Sequence, residues 1–281
     1  MKEDSKPGSL YMVATPIGNL DDITLRAIKT LKNADLIAAE DTRHTRKLLN
    51  HLGISNELVS YYREREQQRS EQLIKLIKDG KNIALVSDAG TPAISDPGAV
   101  LVQKALREGI RVVPVPGASA LTAAVSCSGS EYGSFLFLGF APVKSGRKKL
   151  LQQLKAFEYP LVFYESPKRA ASFLNDCLNI LGNRRVLWAR ELTKIHEELR
   201  LDRLDKLLEA VQGKEQRGEF VFIIWPGKPE VITEEQITSK ILWHQKHNQL
   251  KLKDMSREIA DELGISKSQV YDLALKIMGK K

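Results

Sequence analysis

Three short loops in the first half of the chain have the residue types of a ligand cradle. They are Thr15-Pro16-Ile17-Gly18-Asn19, Ser87-Asp88-Ala89-Gly90-Thr91-Pro92 and Val115-Pro116-Gly117-Ala118-Ser119-Ala120, and each follows an apolar run. Glycine permits close approach of a ligand to the backbone, and proline holds a loop rigid. Asp88 is placed to accept hydrogen bonds from an ammonium or hydroxyl group. One such loop is an ordinary turn. Three at strand ends predict a site, because α/β sheets bind ligands beyond the carboxyl ends of their strands. The second half places charge at similar points. Glu165 leads into Ser166-Pro167-Lys168-Arg169, and Arg190-Glu191 leads into a segment holding Lys194 and His196. Acid, cation and imidazole at one strand edge are what general acid–base chemistry needs.

Other chemistries lack their residues. The chain has no G-x-x-x-x-G-K-[ST], no G-x-G-x-x-G between a strand and a helix, and no G-x-S-x-G. That argues against a P-loop NTPase, an ordinary dinucleotide enzyme and a nucleophile-elbow hydrolase. Cys127 and Cys177 lie far apart and read as two buried thiols; His244 and His247 read as solvated. Neither pair has metal-ligand company, so no metal is expected.

The elements that would position these loops alternate along the chain. Strands are predicted at 9–15, 35–40, 82–88 and 111–115, with helices from Asp21 or Asp22 through Leu31, through Leu52, over 64–79, over 97–108 and after Gly117. The pattern restarts with strands at 135–140, 160–165, 185–191 and 219–225, and helices at 145–157, 167–181 and 203–212. Strands alternating with helices imply largely parallel sheets covered on both faces. The break at Ser128-Gly129-Ser130 divides the chain into α/β domains at 8–128 and 129–228. Beyond Pro226-Gly227-Lys228-Pro229, residues 229–281 form a helical tail, helix-turn-helix-like around Gly264, with Ser266 as a cap. It is either a packing module or a direct RNA contact.

With 281 residues, 42% hydrophobic and 28% charged, the chain reads as a globular protein of two ordinary domains. No apolar run approaches the ~20 residues of a membrane span, and MKEDSKPGS lacks the apolar core of a secretory signal. A cytoplasmic protein with no membrane partner is expected. The net charge of +8 suits a polyanionic partner. Lys144, Arg147, Lys148 and Lys149, at the start of a basic helix, are either phosphate contacts or a solvated helix face.

Six segments in order carry a resemblance: Thr15-Pro16-Ile17-Gly18-Asn19, Glu40-Asp41-Thr42-Arg43, Ser87 to Pro92, Pro116 to Ala120, Glu165-Ser166-Pro167 and Arg190 to Lys194. Over about residues 8–228 the chain resembles the bacterial 16S rRNA (cytidine-2′-O)-methyltransferases of the tetrapyrrole-methylase-like superfamily. The resemblance implies a class III methyltransferase: two α/β domains, S-adenosylmethionine (SAM) as methyl donor in the cleft between them, and a homodimer. It further implies that Asp88, Ala89, Gly90, Ile94, Ser119 and Ala120 line the SAM pocket from the first domain, with Tyr164 and Glu165 from the second. Tetrapyrrole methylases usually carry a more glycine-rich first loop and Gly-Asp-Pro at the second. Thr-Pro-Ile-Gly-Asn and Ser-Asp-Ala-Gly here favour the RNA-modifying branch.

The implied substrate is a cytidine in the decoding region of 16S rRNA within the small ribosomal subunit. A ribose hydroxyl is a poor nucleophile at neutral pH, so transfer needs alignment and a proton acceptor. The expected catalytic cluster is Glu165, Arg190, Glu191, Lys194 and His196, with Asp41 and Arg43 facing it. The alternatives are a SAM-dependent methylase of a tetrapyrrole or other small molecule, and a non-enzymatic RNA-binding or ribosome-assembly module.

Overall fold

A computed structural model describes residues 6–213, 218–227, 233–247, 250–263 and 265–278. The chain divides into two compact units, through Gly227 and from Lys228. Lys228, Pro229 and Gly264, three residues of the expected turns, lie outside the described residues.

The first unit holds two five-stranded sheets. One consists of β1 (Ser9–Val13), β2 (Leu36–Ala39), β3 (Leu58–Ser60), β4 (Ile83–Val86) and β5 (Arg111–Val115), in the order β3-β2-β4-β1-β5. All its pairings are parallel. Central β4 is buried along its whole length, and its unbroken Ile-Ala-Leu-Val run is the mark of a strand covered on both faces. Ile83 and Leu85 meet Leu73 and Ile77 of α3 (Glu66–Lys78) and Leu101 and Ala105 of α4 (Ala99–Arg107). Ala84 and Val86 face the other way, towards Ala27 and Leu31 of α1 (Leu25–Asn33) and Leu49 of α2 (Thr42–His51). The α1 cap is a correction. Thr24, not Asp21 or Asp22, accepts the Ala27 N–H at 3.1 Å, while the two aspartates sit in a preceding 3-10 turn.

The second sheet comprises β6 (Leu136–Phe140), β7 (Leu161–Glu165), β8 (Arg185–Arg190), β9 (Glu198–Arg203) and β10 (Phe220–Ile224), ordered β6-β7-β10-β8-β9. Here the expectation of a largely parallel sheet fails. Only β6 and β7 run parallel; β10 opposes β7 and β8, and β9 opposes β8. Residues 191–197 between β8 and β9 are too few for the crossover that a parallel pair needs. The helices α6 (Lys144–Gln153), α7 (Pro167–Leu181) and α8 (Leu204–Val211) follow, with α6, α7 and α8 packed on the face that carries Phe163, Trp188 and Phe222. The opposite face receives Ala124 of α5 (Ala120–Ser126), which lies in one cluster with Val162, Leu187 and Val221. A helix of the first half thus helps close the core of the second.

The second unit has α9 (Glu234–His247), α10 (Leu252–Leu263) and α11 (Lys267–Met278) around Ile237, Ile241, Met255, Ile259, Val270 and Ala274. Ser266 accepts the Gln269 N–H and Gln269 accepts the Ser266 N–H, each at 3.3 Å, a capping box at the start of α11. Two side chains depart from expectation: His244 is buried and Cys127 is exposed.

Candidate functional site

Because β1, β2, β4 and β5 all run the same way, the loops after them meet along one edge of the first sheet. There they form one wall of a cleft of about 310 Å³. Ile17, Glu40, Asp88, Ala89, Gly90, Thr91, Ile94, Asp96, Ser119 and Ala120 line this wall. The loops brace one another. Thr15 and Gly90 exchange backbone hydrogen bonds of 2.9 and 3.0 Å, and Thr91 Oγ1 donates to the Ala118 carbonyl at 3.3 Å. Gly90 sits at φ +79°, where an L side chain is strained.

This wall is acidic. Asp88 Oδ1 accepts the Asp41 N–H at 3.0 Å, and the Glu40 carboxylate accepts the Asp88 N–H, so the ends of β2 and β4 hold each other. Burial, then the charge of Asp88, raises the Glu40 pKa. Asp96 is pushed up to about 6, chiefly by burial and then by Glu40. Its loop is strained: Ala93 and Ser95 adopt φ +66° and +68°, left-handed values that non-glycine residues seldom take. Arg63 Nη2 donates to the Ser95 carbonyl at 3.1 Å. From the second half Gly139 lies so close that a Cβ there would stand 2.7 Å from Ser95 Oγ.

The opposite wall consists of Phe140, Tyr164, Glu165, Ser166, Pro167, Leu192 and residues 218–221. Since β7 and β10 are antiparallel, the end of one strand and the start of the other contribute together. Tyr164 Oη accepts the Leu121 N–H at 3.0 Å, and Thr193 Oγ1 accepts the Asn19 N–H at 3.0 Å; both bonds join the two halves. The Glu165 side chain is fully buried. Its Oε1 accepts the Ser166 N–H at 2.8 Å and lies 3.0 Å from Arg169 Nε, while Oε2 has no protein partner. Burial raises its pKa.

The expected catalytic cluster is only partly assembled, for of its seven members Glu165 alone lines the cleft. Glu191 and Lys194 pair at 2.8 Å behind that wall, and Lys194 also reaches Glu219 at 3.6 Å. Arg190 lies 3.6 Å from Glu198 and over the Trp188 ring. His196 is exposed. Asp41 caps α2 and pairs with Arg43 at 2.7 Å, which holds its carboxyl well below the usual range. Glu40 and Asp96 also line the cleft, beyond the residues expected from the sequence. Glu40 had a legible signal, ending β2 as Asp88 follows β4. Arg147 is a correction: 7% exposed, it pairs with Asp176 at 2.5 Å and is not available to a phosphate. Lys144, Lys148 and Lys149 are exposed. Among the described residues, no group of three or more His, Cys, Asp or Glu side chains could hold a metal ion. No described helix is long and apolar enough to cross a membrane.

An acidic wall bordered by apolar side chains suits a ligand that carries positive charge. Residues 9–208 match the model of the tetrapyrrole (corrin/porphyrin) methylases, and the chain belongs to that family. It is 44% identical to the ribosomal RNA small subunit methyltransferase I of Halalkalibacterium halodurans, over 95% of this chain and 94% of that one. It is 43% identical to the protein of the same name from Escherichia coli O157:H7, over 98% of each chain. Two solved structures share its fold. A diphthine synthase superposes with a TM-score of 0.61 at 14% identity, covering 78% of this chain and 90% of that one. A cobalt precorrin-4 methyltransferase gives 0.58 at 20%, covering 77% and 94%.

Proposed function

We infer that the chain transfers a methyl group from SAM to the ribose 2′-hydroxyl of a cytidine in the decoding region of 16S rRNA, acting on the small ribosomal subunit. Near-full-length similarity to proteins named ribosomal RNA small subunit methyltransferase I supports the substrate class. The observation that carries the reaction is the single cleft at which strand-end loops of both sheets converge.

SAM supplies an electrophilic methyl on a positively charged sulfur. Glu40, Asp88 and Asp96 set a negative potential that favours such a ligand and its ammonium group. Glu165, buried against Arg169, holds the turn from β7 into α7 beneath the second wall. Ile17, Ala89, Ala120 and Leu192 offer apolar surface for its base. Gly90, Ile94 and Ser119 complete the first wall, and Tyr164 keeps the second in register through Leu121. Glu191 and Lys194 position Glu219 from behind. Lys144, Lys148 and Lys149 contact RNA phosphate, in keeping with the net charge of +8. The protein works as a cytoplasmic homodimer whose cleft separates domains 8–128 and 129–228.

The test is methylation of small subunits from cells lacking this protein, using tritiated SAM, with the label mapped by nuclease digestion and mass spectrometry. A 2′-O-methyl group on one cytidine is the expected result. SAM binding with no labelled subunit RNA would transfer the assignment to a small-molecule methylase.

A further inference from the structure

Phe140 is an exposed aromatic ring in the lining of the cleft. It ends β6, and regular strand geometry would not bring it there beside its neighbours. Side chains alternate between the faces of a strand, so Phe137 and Phe140, three positions apart, would point to opposite sides. Instead the register of β6 against β7 shifts between Phe137 and Gly139, and Gly139 takes φ +59°. A bulge of this kind adds one residue and re-aims the side chains beyond it. Phe137 and Phe140 therefore share a face, and both meet the Tyr164 ring edge-to-face, with centroids 4.9 and 5.7 Å away. Gly139, having no side chain, also lies against Ser95, which sets Phe140 next to the loop that carries Ile94 and Asp96.

The three aromatic residues of the lining offer different things. Phe220 is 2% exposed and belongs to the core. Tyr164 is half-buried, and its hydroxyl accepts the Leu121 N–H. Phe140 is 52% exposed. The chain beyond it turns basic, for α6 begins four residues after the ring and carries exposed Lys144, Lys148 and Lys149. An aromatic ring followed by exposed cations is how proteins hold an unpaired nucleotide, with the ring against the base and the cations at the phosphates. The acidic groups Glu40, Asp88 and Asp96 stand on the other wall, where a cationic donor is favoured and a phosphate is not.

We propose that Phe140 is the platform on which the base of the target cytidine stacks once it is turned out of its RNA strand. The assignment rests on the function inferred above and gives that reading a place for the methyl acceptor. A base stacked on Phe140 carries its own ribose, one bond away, alongside the first wall. Alignment of that kind is what a weakly nucleophilic hydroxyl needs. Stacking tolerates any base, so the ring supplies position and not the choice of cytosine.

The test compares wild type with Phe140→Ala, Phe140→Leu and Phe140→Tyr in single-turnover labelling of unmethylated small subunits, with SAM in excess and subunits below saturation. SAM affinity by calorimetry and thermal unfolding are followed in parallel. Phe140→Ala should slow labelling about 5- to 150-fold, the range of one base–aromatic stack. Phe140→Leu, which keeps apolar bulk without a ring, should stay slow, and Phe140→Tyr should recover most of the rate. SAM affinity and the unfolding midpoint should remain at their wild-type values in all three. A wild-type rate in Phe140→Ala or Phe140→Leu, or a Phe140→Tyr as slow as Phe140→Ala, would overturn the assignment. So would a loss of SAM affinity equal to the loss of rate, which would give the ring to the donor instead. Wild-type protein that binds SAM but labels no subunit RNA would bring down the inferred function, and this assignment with it.

Discussion

The two walls of the cleft treat charge in opposite ways. On the first, Glu40, Asp88 and Asp96 crowd together, and two of them have raised pKa values because burial and mutual repulsion outweigh what neutralises them. In the second half each main charge has a partner: Glu165 with Arg169, Glu191 with Lys194, and Arg147 with Asp176. Neutralised pairs hold a scaffold in shape. Carboxylates left facing one another cost stability until something positive or protonated joins them, which is the condition of a wall built for a ligand. The sheets reach the cleft differently too. The parallel sheet delivers the ends of four strands to one edge, whereas the mixed sheet delivers the end of β7 beside the start of β10.

Four variants would break or sharpen this contrast. The largest effect is expected for Arg147→Met, which strands Asp176 in the interior. A loss of about 3–5 kcal/mol in urea unfolding is expected, and a loss below 1 would mean that the pair is not structural. Gly218→Ala comes next. Its φ is +98°, and a Cβ would stand 2.2 Å from Glu191 Oε1, so Glu191 must leave Lys194. About 1–3 kcal/mol is expected to be lost, measured in the same way.

Asp96→Asn should do the reverse and stabilise the ligand-free protein. The folded-state pKa of Asp96 lies above its ordinary value of 3.8, so the folded protein binds the proton more tightly. Its contribution to stability is therefore most favourable at low pH and falls as pH rises from about 4 to about 6. The side chain is partly exposed, so screening reduces the gain on substitution to about 1 kcal/mol above pH 6. Thermal unfolding at pH 7.5 should show the gain, and unfolding below pH 4 should show none. Destabilisation at pH 7.5 would contradict an unneutralised acidic wall. The smallest effect on stability is expected for the double change Lys148→Ala with Lys149→Ala, within about 0.5 kcal/mol of wild type. Its consequence should lie instead in subunit affinity, which should weaken and become less salt-dependent. An unchanged affinity would return these lysines to a solvated helix face.

Much of the fold was legible because local signals were strong. The Pro167–Leu181 helix and the buried run of β4 emerge where they were expected. The three-residue edge strand β3 and the charged edge strand β9 leave no mark in the sequence, since neither has the apolar run or the turn signals that announce a strand. The loops at 88–90 and 119–120 were legible as site elements because glycine, proline and aspartate at a strand end leave little else for the backbone to do. In the charged segment after β8 the residue types suit catalysis, but Glu191 and Lys194 satisfy each other and His196 is not in the cleft lining.

By itself, then, the sequence determined where chain segments become helices and strands and which loops end them, since propensity, periodicity and turn chemistry act over a few residues. Only the tertiary structure decided which charges meet. It set Asp96 beside Glu40, 56 residues earlier in the chain, and gave Arg147 to Asp176 rather than to a phosphate. Pairing and burial depend on distances between segments far apart in sequence, and those distances are settled when the core closes.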